Sequence, residues 1–278
     1  MKREIEKIIT GEKASDGDGV QLTRIIPSLE SDMIDPFLLM DAFGSDKPQD
    51  YIGGFPPHPH RGFETVTYML AGKMRHKDSM GNEGIIEAGG VQWMRAGKGI
   101  IHSEMPEQEE GLLSGFQLWV NLPASHKMDD PNYQEVGIDD IPEETRGDAC
   151  HLKVIAGRTN QGTQGAISND LVDPIFWDIH LSSGSTFIDK TPEGHNAFIY
   201  VIEGELKIAD SIKSVISKQL AILTNGNSIE IKARSKSRFL LIAGKPLNEP
   251  IARGGPFVMN TREEVQQAFK DYESGDFA

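Results

Sequence analysis

Cysteine is nearly absent. Cys150 is the only one, so no internal disulfide can form and no cysteine-based zinc motif is available. Its thiol is expected to be inert. Long apolar runs are missing too: no stretch approaches the ~20 apolar residues that a membrane span needs. The opening Met1-Lys2-Arg3-Glu4-Ile5-Glu6-Lys7 has mixed charge and no apolar segment behind it, so a secretory signal is not expected and a cytoplasmic location is. Basic clusters are the third deficit. Lys and Arg number 28 against 42 Asp and Glu, a formal net charge of -14, and no local Lys/Arg run offsets it. A surface of that sign repels phosphate backbones, which excludes direct nucleic-acid binding as a leading function.

What is present is β-structure. The 278 residues admit one large all-β unit or two domains. From Arg3 to about Ile26 short strands are broken by Asp16-Gly17-Asp18-Gly19, a turn cluster, and a loop follows. Glu64 to Leu70, Met74 to Asp78, Ile85 to Glu87, Val91 to Met94 and Ile100 to Glu104 form a meander punctuated by glycine. In Gly115 to Leu122 the side chains of Phe116, Leu118, Val120 and Leu122 share one face, and those of Gln117, Trp119 and Asn121 the other. Turns every 8–12 residues indicate a sandwich or barrel. Residues 126–149 are polar and Pro-containing and read as a connection. The strand rhythm then resumes, and Tyr200-Val201-Ile202-Glu203-Gly204 stands where Tyr68-Met69-Leu70-Ala71-Gly72 stands in the first half. Near the end, Thr261-Arg262-Glu263-Glu264 fits a capping box, and Val265, Ala268, Phe269 and Tyr272 recur at helical spacing.

Two short pairs carry the chemistry. His58-Pro59-His60 and His102-Ser103-Glu104 both have i, i+2 spacing, which in an extended strand puts both side chains on one face. The prolines around His58 exclude a helix and a central, fully paired strand, leaving extended backbone at a sheet edge. Two such strands side by side would offer three imidazoles and one carboxylate to one ion. Solvated histidines are the competing reading of an isolated pair, and it is the second pair that favours metal. The second half has only His195 at the corresponding place and no matching H-x-E, so it reads as a duplicate without the ligand set.

Longer motifs surround these pairs. Gly54-Phe55-Pro56-Pro57-His58-Pro59-His60-Arg61-Gly62-Phe63-Glu64-Thr65-Val66 resembles the first signature of the pirins, a branch of the cupin superfamily. Gln92-Trp93-Met94-Arg95-Ala96-Gly97-Lys98-Gly99-Ile100-Ile101-His102-Ser103-Glu104-Met105-Pro106 resembles the second. Asp35 to Leu39, Gln117 to Pro123 and Gly255 to Thr261 match as well. The resemblance implies an all-β bicupin: two antiparallel β-barrels of jelly-roll type, face to face, with a C-terminal helix. Its parts would be a metal-binding barrel at 1–125, a connection at 126–149, a metal-free barrel at 150–248, and a tail with helix at 249–278 that packs on the β body.

Carried over by motif, the ligands are His58, His60, His102 and Glu104, with Glu64 structural. The resemblance implies one divalent metal, usually Fe(II); the donor types also suit Zn, Mn, Ni or Cu. Some bacterial pirins resemble quercetinases. That implies a quercetin 2,3-dioxygenase-type ring opening of a flavonol with O₂, with Glu104 as both ligand and general base. The other function implied is a non-catalytic, redox-responsive regulator acting through protein contact. Phe55, His76 and Gln117 are expected in the substrate pocket. Trp93, Trp119 and Trp177 are expected in the core, and His126, His151 and His180 are expected to stand alone without function. Arg61 could orient its neighbouring ligand, contact an anion, or form a surface ion pair. The family tends towards monomers.

Overall fold

The computed structural model describes residues 1–27 and 33–277. Part of the loop expected after Ile26 therefore lies outside the described residues. The chain divides into two compact units, Glu12–Ile138 with Leu247–Ala278, and Met1–Gly11 with Asp139–Pro246.

In the unit built on Glu12–Ile138, a seven-stranded antiparallel sheet runs from Asn132–Val136 through Val91–Arg95, Phe63–Ala71, Leu113–Asn121, Phe37–Ser45 and Val20–Ile26 to Glu12–Asp16. A four-stranded antiparallel sheet takes the order Phe55–His60, Ile100–Pro106, Met74–Asp78, Glu83–Ile86. Phe55–His60 is thus an edge strand, which is where its prolines are tolerated: a missing N–H on the open side breaks no ladder bond. The C-terminal helix Arg262–Ser274 belongs to this unit and starts as the capping box predicts. Thr261 accepts from the Glu264 N–H, and the Glu264 side chain returns to the Thr261 N–H.

The other unit repeats the plan, with a seven-stranded sheet ending on Ile5–Thr10 and Glu143–Arg146 and a four-stranded sheet from Thr186–Lys190 to Ser214–Ile216. Its interior is closed by one continuous apolar cluster that includes Trp177, Phe187, Phe239, Ile199, Ile231 and Leu241, all buried.

Two boundaries differ from the sequence expectation. The first strand, Ile5–Thr10, pairs antiparallel with Gln219–Leu223, so Met1–Gly11 joins the second unit and not the first. Arg3 fixes it there. Fully buried, its guanidinium donates to Thr191 Oγ1 (2.7 Å) and to the carbonyls of Thr224, Pro192 and His195. Replacing Arg3 with alanine would leave those acceptors buried and unpaired, an expected loss of about 3–5 kcal/mol in urea unfolding. The second difference concerns 126–149. The segment carries Asn132–Val136, paired with Val91–Arg95, and Glu143–Arg146, paired with Cys150–Ala156. Both are edge strands with solvent-facing positions, and the polarity of an edge strand is what made them read as a connection.

Candidate metal centre

The edge strand Phe55–His60 lies antiparallel to Ile100–Pro106 with His58 directly opposite His102. Opposed residues share a face, and His60 shares the face of His58 through the strand's two-residue period. Three rings therefore converge. Their centroids are 4.6 Å (His58–His60), 4.5 Å (His58–His102) and 5.0 Å (His60–His102) apart. Ligand atoms of the three lie within 4.8 Å of one another, the only such grouping of three among the described residues.

The hydrogen bonds set the protonation of one ring. His58 Nδ1 lies 2.8 Å from the Pro56 carbonyl, which can only accept, so Nδ1 carries the proton in the neutral ring. The lone pair of Nε2 then points inward, 3.0 Å from His60 Nε2. Burial holds His60 well below the usual imidazole range, with the positive potential of its two neighbouring imidazoles adding to the effect. Burial likewise pushes His102 down to about 4, against the pull of Glu104. Both are neutral at pH 7, the form that ligates a metal. His102 is buried with both ring nitrogens lacking a hydrogen-bond partner. In a neutral ring one of these nitrogens is an N–H donor and the other offers a lone pair, and each is costly when buried without a partner. The arrangement fits a divalent metal held by imidazoles.

Glu104 is placed differently from the three rings. A bulge follows His102, so Glu104 pairs with Phe55 on one side and with His76 on the other. It is buried and stands outside the three-imidazole grouping. Thr67 Oγ1 donates to one carboxylate oxygen (2.8 Å) and Gln117 Nε2 to the other (3.1 Å). Each oxygen keeps a further lone pair. Glu64 is structural, as expected: buried, it accepts from Trp93 Nε1 (2.8 Å) and Arg95 Nε (2.9 Å).

A cavity of about 660 Å³ opens onto His58 and His60, within the size range of small-molecule sites. Phe55 and Gln117 are in its wall and His76 is not. His76 is buried with its Nε2 2.6 Å from Glu135 Oε2, under the Tyr133 ring. Trp119, Arg24 and Asp41 are among the further wall residues that sequence reasoning did not pick out. Trp119, expected in the core, is half-buried in the wall, its ring edge-on to His60 at 5.2 Å. It shares the strand face of Gln117, a signal already present in the alternation. Arg24 and Asp41 form a bidentate ion pair in the wall (3.0 and 2.8 Å). Burial pushes Asp41 up despite Arg24 beside it.

Trp93 and Trp177 are core residues, as expected. His126 does not stand alone; its Nδ1 is 2.7 Å from Asp129. His151 and His180 oppose each other across neighbouring strands with ring centroids 6.4 Å apart, a pairing that separation in sequence conceals. Arg61 is buried rather than at the surface, and Cys150 is buried with its thiol pushed up by burial, consistent with an inert group. Among the described residues no helix is long and apolar enough to cross a membrane.

Comparison with known proteins agrees with this geometry. Residues 19–120 match the Pirin family model and residues 176–278 the model of the Pirin C-terminal cupin domain. A "Pirin-like protein" of Caulobacter vibrioides is 50% identical over 275 residues, covering 99% of each chain. Among solved structures, a quercetin 2,3-dioxygenase from Acinetobacter baumannii superposes with a TM-score of 0.93 at 35% identity, covering 100% of this chain and 99% of that one. A bacterial pirin from Escherichia coli in complex with nickel(II) superposes with a TM-score of 0.67, covering 86% of this chain and 98% of that one. At 20% identity that last likeness speaks to the fold alone.

Proposed function

Because the chain belongs to the pirin family of the cupin superfamily, we propose that it is an Fe(II)-dependent dioxygenase that opens a flavonol-type ring with O₂. His58, His60, His102 and Glu104 would hold the iron, and Glu104 would also act as general base. The observation that carries this reading is the convergence of three imidazoles at a cavity of small-molecule size. The similarity to a quercetin 2,3-dioxygenase supports the substrate class.

When bound, a divalent iron would supply Lewis acidity toward an ionised substrate oxygen. The chain's own groups supply the rest. Glu104 accepts the proton of the flavonol hydroxyl, using a lone pair that Thr67 and Gln117 leave open. Those two donors hold the carboxylate in one orientation, so little reorganisation is needed when the proton arrives. Phe55 and Trp119 are apolar parts of the cavity wall beside which the substrate rings would pack, with the Trp119 ring itself set between Phe63 and the Arg253 guanidinium.

The test is direct. Protein loaded with Fe(II) under anaerobic conditions is mixed with quercetin in air, and absorbance loss and carbon monoxide release are followed against a His58→Ala control. Metal-dependent loss with gas release is expected. Its absence would favour a regulator without turnover. Gln117 provides a finer check: Gln117→Leu removes one of the two donors to Glu104 and is expected to lower turnover about 10-fold with metal content unchanged. Equal turnover in that variant would mean that Gln117 does not orient the base.

A further inference from the structure

We propose that the C-terminal segment is a latch on the metal centre. It closes behind both ligand strands and, through Arg61 as a positioning residue, holds His60 in ligating geometry. The proposal rests on His58, His60 and His102 being metal ligands, and not on any turnover.

Four observations converge on it. The first is Arg61, the residue after His60. It is buried, its Nε donates to the Lys98 carbonyl, and its Nη1 donates to Asp271 on the C-terminal helix at 2.5 Å. Its guanidinium lies over the Phe277 ring, 4.5 Å from the centroid. One side chain thus ties the end of the His58–His60 strand to the turn before the His102 strand and to the tail.

The second is the backbone. The Arg61 N–H reaches the Pro256 carbonyl (3.4 Å), and the Val258 N–H donates to the Arg61 carbonyl (3.0 Å). The tail therefore pins the residue next to His60 from both peptide groups. The third is a pair of glycines flanking the ligand pairs, Gly62 after His60 and Gly99 before His102. A Cβ at Gly62 would stand 2.0 Å from the Val258 carbonyl oxygen, and one at Gly99 would stand 2.4 Å from that of Phe277. Both glycines have positive φ, +87° and +149°. They give the tail room to approach the ligand strands more closely than any side chain would allow.

The fourth is packing on the second strand. Ile101, next to His102, packs against the cluster of Phe257, Ala268 and Phe277. By the two-residue alternation its side chain lies on the face opposite His102. Lys127 adds a stitch: buried, its ammonium donates to the Gly62 and Val258 carbonyls (2.7 and 2.9 Å) and to Asn121 Oδ1 (2.7 Å). The reaction proposed above uses none of these groups. All of them bear on the two short segments that carry the imidazoles.

The experiment loads the full chain with Ni(II) or Co(II). Asp271→Ala and Phe277→Ala are compared with the parent and with Lys270→Ala, a change at an exposed position of the same helix. Metal release to an excess of chelator should accelerate about 10- to 100-fold in the first two variants. Their Co(II) visible absorption should change in shape, and Lys270→Ala should match the parent in both readouts. A helix with only a structural role would lower the melting temperature and leave the Co(II) spectrum as it was. If both variants keep the parent's spectrum and release rate, the latch is wrong. Should Phe277→Ala fold poorly, Asp271→Ala, which removes one partly exposed carboxylate, decides the matter by the same readouts. A parent chain that takes up neither ion would remove the ligand set itself, and the proposed dioxygenase reading with it. A chain that binds metal but cleaves no flavonol leaves the latch standing.

Discussion

Exchanging His102 for leucine is expected to abolish metal binding and turnover while leaving the metal-free protein as stable as its parent, or more so. The reasoning starts from burial. His102 is 2% exposed and both its ring nitrogens are without a hydrogen-bond partner. A buried polar atom in that state costs about 1–3 kcal/mol. A leucine of similar size carries no such cost and faces the same strand neighbours. The functional consequence has the opposite sign. Removing one of three convergent imidazoles should weaken metal affinity by at least about 100-fold, more than the loss of a group that merely orients a ligand. Paired thermal melts separate the two effects. A metal that binds only the folded state at a hundredfold excess over Kd stabilises by about 2.7 kcal/mol. The parent should therefore show a clear metal-dependent rise in Tm and His102→Leu none. A variant that keeps the parent's metal-dependent rise would show that His102 is not a ligand. The result would be a stability–function trade of the kind active sites store.

Some of this architecture is legible in the sequence because it depends on short-range geometry. The two i, i+2 pairs need only the strand period to share a face, and the prolines need only their missing N–H to force an edge. The C-terminal helix carries its own start signal in Thr261 and Glu264. What the sequence does not disclose is set by pairing over long separations. Ile5–Thr10 joins Gln219–Leu223, and nothing in either strand names the other. Asn132–Val136 and Glu143–Arg146 look like linker because edge strands are polar on their open side. The face of a strand can be read, but which face meets the cavity cannot. Alternation groups Trp119 with Gln117, yet whether that face is core or wall depends on the neighbouring sheet. Nor does alternation show that His76 stands opposite Glu104 in register with its ring beside Glu135. Arg61 is the sharpest case. As a charged residue after the His58–His60 pair it allows three readings, orienting its neighbour, contacting an anion or pairing at the surface, and only the tail returning from Asp271 and Phe277 makes it a buried tie.

Glu104→Gln is expected to keep the fold and much of the metal while lowering turnover by about 10²- to 10⁴-fold, the usual contribution of a positioned base. The local hydrogen bonds explain why the fold survives. The Gln117 amide donates to one oxygen of Glu104, and the new side chain can present its carbonyl there. Its NH₂ then faces the Thr67 hydroxyl, which rotates from donor to acceptor. The buried Thr67 hydroxyl hydrogen and the second amide hydrogen lose the carboxylate acceptor, so a stability loss of about 1–3 kcal/mol is expected. What would be lost is the lone pair proposed to receive the flavonol proton. The sign of the pH dependence follows from that loss. At low pH the substrate hydroxyl is protonated and the variant has no base to remove the proton. As pH rises towards the substrate's own ionisation, solvent performs that step, and the gap between variant and parent should narrow. Turnover against pH for both proteins, with metal content measured on the same samples, provides the test. A deficit of constant size at all pH values, with metal retained, would assign Glu104 a purely ligating part. Undiminished turnover in the variant would remove it from the reaction altogether.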